Sequence, residues 1–299
     1  MPPPAADGPA GGSRTVSVDL EDLPAWAEPF AAADRLARRA GLRRIDRAWA
    51  WGGATGKGVR VAIIDSGVEG DHPWVEGRLV ESVAVRIDKN GDAEVVPDEP
   101  TDLYGHGTAC AGIIVGLAPQ VEIVSVRVLN EDLKGKGAAF VEGLSWAIEQ
   151  GVQVANLSLS SKSEALYPVF HELADEAYFR NVMLVSAANN VNVASYPSLF
   201  SSVVSVAAHG EPDPWRLYYN PKPPVEFGAW GVDVPIAWKD GTETVATGNS
   251  FAAPHVAAMA ALIVSKHPRL TPFELKAILA AVADNPRPAA RRARRVTPS

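Results

Sequence analysis

The sequence has a single cysteine and no long apolar segment. Cys110 is the only cysteine among 299 residues, so the chain forms no internal disulfide, as is usual in a reducing compartment. A membrane-spanning helix needs roughly 18 to 20 uninterrupted apolar residues. The longest candidate, Ala252–Val264, is interrupted by Pro254 and His255, and we interpret it as a buried helix. The sequence therefore predicts a protein without a membrane span.

The first residues and the overall charge exclude two further classes. Residues 1–14 contain neither the basic segment nor the apolar core of a secretory signal, so the predicted location is cytoplasmic. The formal net charge of -7 argues against a general nucleic-acid binder. A basic cluster at Arg291, Arg292, Arg294 and Arg295 is interpreted as part of a solvated tail. We therefore expect neither a nucleic acid nor a membrane among the partners.

Composition divides the chain into two tails and one domain. Residues 1–14 and 285–299 have no periodic apolar face and predict disordered tails. Residues 15–284 predict a single domain with a short amino-terminal extension. Within that extension Thr15–Leu23 alternates apolar and polar residues, and we interpret it as an added edge strand in preference to a small inhibitory segment.

Apolar segments alternate with helical patterns inside this domain. Five apolar segments predict buried strands, at Val59–Ile64, Val121–Leu129, Val152–Leu159, Val182–Ala187 and Val203–Ala207. Helices are predicted at Phe30–Ala40, Ile45–Trp51, Ala139–Gln150 and Val169–Phe179, and a last one after the capping residue Thr271. Such alternation predicts an α/β fold, with a doubly wound, mainly parallel sheet and helices on both faces.

Three separate motifs contain an aspartate, a histidine and a serine in positions suited to chemistry. Asp65 directly follows the first predicted strand, at the sheet edge where ligands of such folds bind. His106 lies between Gly105 and Gly107, which allow the backbone to approach its ring closely. Ser250 opens a long apolar helix, whose first backbone N–H groups lack partners and suit an oxyanion. Taken singly, each residue also fits a structural role as a turn cap, a packed histidine or a helix cap.

In the order Asp65, His106 and Ser250, these motifs resemble those of the subtilases, for which this chain order is known. The flanking residues 54–68 and 260–268 resemble the entry strand and the late helix of that family, and the resemblance covers most of the chain. It implies a subtilisin-like three-layer fold and a serine endopeptidase that cleaves peptide bonds through an acyl-enzyme. In that mechanism Ser250 is the nucleophile, His106 accepts and returns its proton, and Asp65 orients the imidazole.

The resemblance also implies a second donor to the oxyanion. Subtilases take it from an asparagine side chain at the end of a buried strand, and Asn189 and Asn190 are the candidates. Counting without gaps from Asn181 along Val182–Ala188 puts the usual Gly-Asn pair of the family on these two residues. Asn190 is therefore the predicted donor.

Two segments resemble the walls of the subtilase substrate cleft, the first of them an edge strand that pairs with an extended peptide. The predicted substrate-binding residues are Gly135, Lys136, Gly137, Ser158, Leu159 and Ser160. A peptide or protein bound as an extended strand is therefore the expected partner. The family has two glycines where Ser160 and Ser161 stand. We hypothesise that Ser160 narrows the pocket for the P1 side chain and that Lys136 favours an acidic or polar residue elsewhere in the peptide.

The tight calcium site of the best-known subtilisins is predicted to be absent. That site uses an aspartate shortly after the catalytic one and a loop inserted in the helix after the histidine. Trp74 stands at the first place, and Ala111–Pro119 leaves no room for the second. Asp88, Asn90 and Asp92 resemble part of a calcium loop but lack its closing glutamate, so we interpret them as a polar turn. We expect no metal and no cofactor.

Cys110 lies four residues after His106 and would share its face of a helix. We interpret it as a buried, inert thiol in preference to a second nucleophile. Its proximity to the histidine predicts sensitivity to mercurials.

Three functions remain open from the sequence. The first is a cytoplasmic endopeptidase, either a broad peptide degrader or a dedicated processing enzyme such as a leader-peptide protease. The second is a transpeptidase or macrocyclase, in which an amine replaces water at the acyl-enzyme. The third is a pseudoprotease that only binds peptides, which the intact triad disfavours. The sequence does not indicate the oligomeric state.

Overall fold

The computed structural model describes residues 45–75, 77–222 and 224–285. The predicted tail 1–14, the strand predicted at Thr15–Leu23 and the helix predicted at Phe30–Ala40 lie outside the described residues, as do residues 286–299 of the basic tail. Within the described ranges, no helix combines the length and the apolar character needed to cross a bilayer.

Six α-helices and eleven β-strands occur within these ranges. The strands are β1 (Arg60–Asp65), β2 (Leu79–Ile87), β3 (Ala93–Pro97), β4 (Glu122–Arg127), β5 (Val154–Leu157), β6 (Met183–Ala187), β7 (Val204–His209), β8 (Tyr218–Tyr219), β9 (Phe227–Trp230), β10 (Val234–Trp238) and β11 (Thr242–Ala246). The helices are α1 (Arg47–Trp51), α2 (His106–Leu117), α3 (Gly137–Glu149), α4 (Tyr167–Phe179), α5 (Asn249–Lys266) and α6 (Pro272–Val282).

Nine of these strands form one sheet in the order β3-β2-β4-β1-β5-β6-β7-β9-β8. The seven strands from β2 to β9 in that order pair in parallel, and the two edge strands β3 and β8 pair antiparallel. Strands β10 and β11 form a separate antiparallel pair. The predicted α/β fold with a mainly parallel sheet is confirmed.

Alternate residues of the central strands face opposite layers of helices. Val61 and Ile63 of β1 belong to the core that contains residues of α1, α2, α5 and α6. Ala62 and Ile64 belong to the core that contains residues of α3 and α4. Because both faces of β1 are covered, its interior is apolar throughout, which is why a plain apolar segment predicted it.

The structure shortens several predicted strands and adds others. β4 ends at Arg127 where the sequence predicted a strand to Leu129, and β5 begins and ends two residues inside its predicted range. Strands β2, β3 and β8 to β11 were not predicted, because each contains residues that are exposed or only partly buried, and none is a continuous buried apolar segment. Gly135 and Lys136 lie in a loop and Gly137 begins α3, so the predicted edge strand is not present there. A strand needs a paired neighbour, and none of the described strands pairs with this loop.

Two local predictions are confirmed. The side chain of Asp88 accepts the backbone N–H groups of Asn90 at 2.8 Å and Asp92 at 2.9 Å, which makes the segment a polar turn between β2 and β3. Thr271 caps α6, since its hydroxyl oxygen accepts the N–H of Glu274 at 3.3 Å and the Glu274 carboxylate accepts the N–H of Thr271 at 2.9 Å.

Candidate active site

The carboxyl end of β1 brings Asp65 to the edge of the sheet, beside the first residue of α2. Asp65 is fully buried, and His106 is buried at the start of the helix. The Nδ1 of His106 lies 2.9 Å from Oδ1 and 2.8 Å from Oδ2 of Asp65. The imidazole therefore donates one ring N–H to the carboxylate, which leaves Nε2 as the nitrogen able to accept a proton.

The two positions beside His106 require glycine for different physical reasons. Gly105 has a backbone φ of 114°, in the left-handed region that favours glycine. A Cβ on Gly107 would lie 2.0 Å from the carbonyl oxygen of Gly67 and 3.2 Å from the Cβ of Asp65. The absence of that atom lets α2 begin in contact with the end of β1.

Ser250 is the second residue of α5, where backbone N–H groups have no acceptor within the helix. Its carbonyl is also released from the helical pattern, because its normal donor four residues later would be Pro254, which has no N–H. Ser158 donates its hydroxyl to that carbonyl at 2.8 Å, and the Cys110 thiol lies 3.7 Å from it. The proline thus lets the groove wall and α2 hold the start of α5.

Ser250 and His106 line the same surface cavity, which has a volume of about 470 Å³. Asn189 and Asn190, which follow β6, line it from another side. All six predicted substrate-binding residues contribute to its walls: Gly135, Lys136, Gly137, Ser158, Leu159 and Ser160. The structure therefore brings together every site residue predicted from the sequence.

The two candidate asparagines differ in what holds their side chains. The Oδ1 of Asn189 accepts the N–H of Val191 at 3.0 Å and so closes a local turn. The Oδ1 of Asn190 instead accepts the N–H of Asn249 at 2.9 Å. A Cβ placed on Gly248 would lie 3.6 Å from Nδ2 of Asn190 and 3.2 Å from Oγ of Ser250. The amide nitrogen of Asn190 and the serine hydroxyl therefore border one small space, which supports Asn190 over Asn189.

Asn249 holds this region together, and sequence reasoning missed it. Its Nδ2 donates to the carbonyls of Ala188 and Asn189, each at 3.1 Å, and its Oδ1 accepts the N–H of Ala208 at 2.8 Å. One side chain thus joins the ends of β6 and β7 to the first residue of α5. Its position beside Ser250 was the only signal available in the sequence.

The electrostatic environment distinguishes the two histidines near α5. Burial lowers the pKa of His106, but the charge of Asp65, its hydrogen bond and the charge of Asp102 together raise that pKa above its ordinary value. Burial lowers the pKa of His255 to about 4, although its Nδ1 donates to the carbonyl of Phe251 at 2.9 Å. His106 is thus tuned to take up a proton, whereas His255 stays neutral at physiological pH.

Cys110 is fully buried, as predicted, and its thiol lies 3.3 Å from the hydroxyl of Ser158. Burial, together with the charge of Asp65, raises the pKa of this thiol well above its ordinary value, which makes it a poor nucleophile. A metal ion could be held by three or more His, Cys, Asp or Glu side chains whose ligand atoms lie within 4.8 Å of one another. Among the described residues, Asp65, His106 and Cys110 form the one such group. Two of its three members are the hydrogen-bonded pair of Asp65 and His106 described above.

The residues at the place of the subtilisin calcium site do not fit a calcium ion. Helix α2 runs without an inserted loop from His106 to Leu117. Trp74 packs its ring against this helix, since a Cβ on Gly112 would lie 3.3 Å from the indole. An indole and apolar helix residues offer no oxygen ligands, which calcium requires.

An imidazole held by a buried carboxylate, in one cavity with a serine hydroxyl, is the arrangement that activates a serine for attack on a carbonyl carbon. The fold and the site together define a serine hydrolase built on an α/β fold. Comparison with known proteins narrows that class. Residues 56–295 match the Peptidase S8 model, described as the subtilase family. The chain therefore belongs to the subtilase family and is a serine endopeptidase.

Individual relatives agree with this assignment. The chain is 32% identical over 250 residues to subtilisin DY of Bacillus licheniformis, covering 78% of this chain and 86% of the relative. It is 30% identical over 239 residues to an intracellular serine protease of Paenibacillus polymyxa, covering 75% and 72%. Among solved structures it resembles a cold adapted subtilisin-like serine proteinase, with a TM-score of 0.63, 30% identity and coverage of 78% and 86%.

Proposed function

We propose that Asp65, His106 and Ser250 form the catalytic triad of this endopeptidase. The observation that carries the proposal is the buried pair of Nδ1 of His106 with both oxygens of Asp65. Nε2 of His106 removes the proton of Ser250 as its oxygen attacks the peptide carbonyl, and returns it to the leaving amine. Asp65 holds the ring in the required tautomer and stabilises the imidazolium.

The oxyanion that forms during attack is stabilised by two donors. One is the backbone N–H of Ser250, at the positive end of the α5 dipole. The other is Nδ2 of Asn190, whose amide is oriented by the bond from the N–H of Asn249 to its Oδ1. The space beside Gly248 is the site for the oxyanion.

The substrate is a peptide or protein that lies extended between the loop 135–137 and the wall 158–161. The wall is braced by two backbone bonds between Ser161 and Tyr196, of 2.9 and 2.8 Å. Ser160 narrows the P1 pocket, and the exposed ammonium of Lys136 favours an acidic or polar residue in the peptide. Such a restricted groove suits a dedicated processing protease, for example one that removes leader peptides.

The enzyme works in the cytoplasm, without calcium at the subtilisin site, without another cofactor, and without a nucleic acid or a membrane as partner. The single cysteine and the similarity to the intracellular serine protease of Paenibacillus polymyxa support the location. The packing of Trp74 on α2 supports the absence of calcium. A chelator is expected to leave the melting temperature unchanged, and a large fall would contradict this proposal.

A fluorophosphonate probe tests the chemistry directly, because it reacts with an activated serine. We expect the wild type to be labelled, Ser250→Ala to be unlabelled, and Ser265→Ala to be labelled like the wild type. Ser265 is a matched control, since it lies at the other end of α5 and its hydroxyl donates to the carbonyl of Leu262 and to no other group in the described part of the chain. A folded wild type that resists the probe would contradict the triad and support a pseudoprotease.

Product analysis separates hydrolysis from ligation. Mass spectrometry of a cleaved peptide is expected to show the mass of one water added across the broken bond. A ring or a joined product without added water would instead identify a macrocyclase or transpeptidase.

A further inference from the structure

A second carboxylate, that of Asp102, collects hydrogen bonds just before α2. Its Oδ1 accepts from the hydroxyl of Ser66 at 2.8 Å and from the N–H groups of Tyr104 at 3.0 Å and Gly105 at 2.7 Å. Its Oδ2 accepts from both the N–H and the hydroxyl of Thr108, at 2.8 and 2.7 Å. Asp102 forms no salt bridge with any described residue. All five of its bonds therefore serve to organise this part of the chain.

These bonds replace the side-chain cap that α2 lacks at its N-cap residue. The N-cap residue is Gly105, which has no side chain to accept the first N–H groups of the helix. Asp102 supplies a carboxylate in its place and binds the N–H of Thr108 in the first turn. A negative charge at a helix N-terminus also interacts favourably with the helix dipole. The first residue of this helix is His106.

The same carboxylate is connected to Asp65 through Ser66. The hydroxyl of Ser66 donates to Asp102 and accepts the N–H of Gly107 at 3.2 Å. The N–H of Ser66 donates to Oδ1 of Asp65 at 2.8 Å. Ser66 therefore links Asp102 both to the carboxylate of Asp65 and to the backbone of Gly107, which follows His106.

Charge gives Asp102 a second effect on His106. The groups that face the imidazole are Asp65 from β1, Asp102 from the loop before α2, Cys110 from α2 itself and the apolar ring of Phe251 from α5. The thiol is neutral, so among the residues that the structure describes the two carboxylates are the charged groups that act on the ring. Both raise the pKa of His106, against the opposing effect of burial.

We propose that Asp102 is a positioning residue of the catalytic apparatus, which fixes His106 against Asp65 through Ser66 and the first turn of α2 and stabilises the imidazolium by its charge. The proposal rests on the triad proposed above. Asp102 touches neither the substrate nor the reacting atoms, so its effect is on the rate and on the pH at which His106 becomes active.

The test measures the rate of fluorophosphonate labelling as a function of pH. In Asp102→Asn we expect the maximal rate to fall about 10- to 100-fold, a size typical of a displaced catalytic group. We also expect the acid limb of the profile to move to lower pH, because the loss of a nearby negative charge lowers the pKa of His106. A purely structural role of Asp102 would not move this limb.

Asp98→Asn is the matched control. Asp98 is also a largely buried carboxylate with several bonds, since it pairs with Nε and Nη2 of Arg127 at 2.6 and 2.7 Å. It has no contact with the triad in the described structure. We expect this variant to lose thermal stability but to keep the wild-type pH profile of labelling.

Ser66→Ala separates the effect of the hydrogen bonds from that of the Asp102 charge. It also provides a second test of the proposal if Asp102→Asn does not fold. It removes the hydroxyl bonds of Ser66 to Asp102 and to the N–H of Gly107. It leaves in place the backbone bond from Ser66 to Asp65 and the charge of Asp102. We expect a reduced maximal rate with an unmoved acid limb. Folded Asp102→Asn with a rate within about twofold of the wild type and an unmoved limb would overturn the proposal, as would Ser66→Ala with the wild-type rate. A wild type that is not labelled would instead refute the triad itself.

Discussion

The catalytic edge of the sheet and the walls of the groove are built in opposite ways. At the edge, Asp65, Asn190 and Asn249 each have their side chains held by hydrogen bonds to neighbouring elements. In the walls, Lys136 and Ser160 line the cavity, and neither side chain has a hydrogen bond or ion pair among the described residues. The geometry of the proposed triad and oxyanion site is thus fixed before a substrate arrives, while the groups proposed to select the substrate remain available to it.

This contrast teaches that the two regions control different quantities. A change at the edge alters the stabilisation of the transition state for every peptide, so it lowers kcat. A change in the walls alters contacts with particular side chains, so it changes the relative kcat/KM of different peptides. Substitutions in the two regions should therefore have different kinetic effects.

The largest effect is expected from Asn190→Ala. Loss of one oxyanion donor lowers kcat about 10²- to 10³-fold in subtilisin itself, and we expect a similar fall here with little change in KM. Steady-state kinetics on several peptides measures it. Asn189→Ala is the matched control and should stay close to the wild type, because that side chain closes only a turn with Val191. A loss that varied strongly between peptides would break the division between the two regions.

The next effect is expected from Gly248→Ala. Its φ of 166° is extended backbone that alanine adopts, but the added Cβ would lie 3.2 Å from Oγ of Ser250 and 3.6 Å from Nδ2 of Asn190. It would occupy part of the oxyanion site and lower kcat about 10- to 100-fold, with the melting temperature nearly unchanged. Gly210→Ala is the control, since a Cβ there meets only Val232 at 4.0 Å. Equal losses in both variants would contradict the role of this space.

A smaller effect, confined to selectivity, is expected from Ser160→Gly. Removing this side chain widens the P1 pocket and restores the glycine typical of the family. Peptides with bulky P1 residues should gain roughly 10-fold in kcat/KM over those with small ones. A peptide-library cleavage profile measures this ratio, and an unchanged profile would show that Ser160 does not limit the pocket.

The smallest effect is expected from Lys136→Glu. Exposed charge pairs contribute little, so the preference for peptides with acidic residues should fall by about 2- to 5-fold and disappear at high salt. The same library at two ionic strengths provides the measurement. Lys57→Glu, on the loop before β1 and outside the cavity, makes the same change in charge and should leave the profile as it is.

How well the sequence predicted each part depends on which interactions define it. β1 was predictable because burial on both faces leaves its interior, residues 61–64, purely apolar. β5 is also fully buried, and Asn156 is its one polar residue. β11 was not, because all five of its residues are at least partly exposed. The motifs around Asp65 and Ser250 predicted their positions because strand ends and helix starts are local features of the chain.

Interactions between distant segments could not be predicted in this way. Asn249 joins carbonyls of Ala188 and Asn189 to the N–H of Ala208, and Asp102 joins Ser66 to the first turn of α2. Nothing in the residue type distinguishes such a side chain from an ordinary loop residue. Their roles depend on tertiary contacts that exist only in the folded chain.

The placement of Ser250 on α5 has a consequence during protein synthesis. Helix α5 packs against β5, β6, β7 and β9 and also contacts α1 and α2. The face of these four strands that α5 covers is therefore left without this helix until it is made. A ribosome, which begins at the amino terminus, produces Asp65 and His106 long before it reaches the serine. With the proposed triad, a nascent chain that still lacks Ser250 therefore has no nucleophile for cleaving peptide bonds.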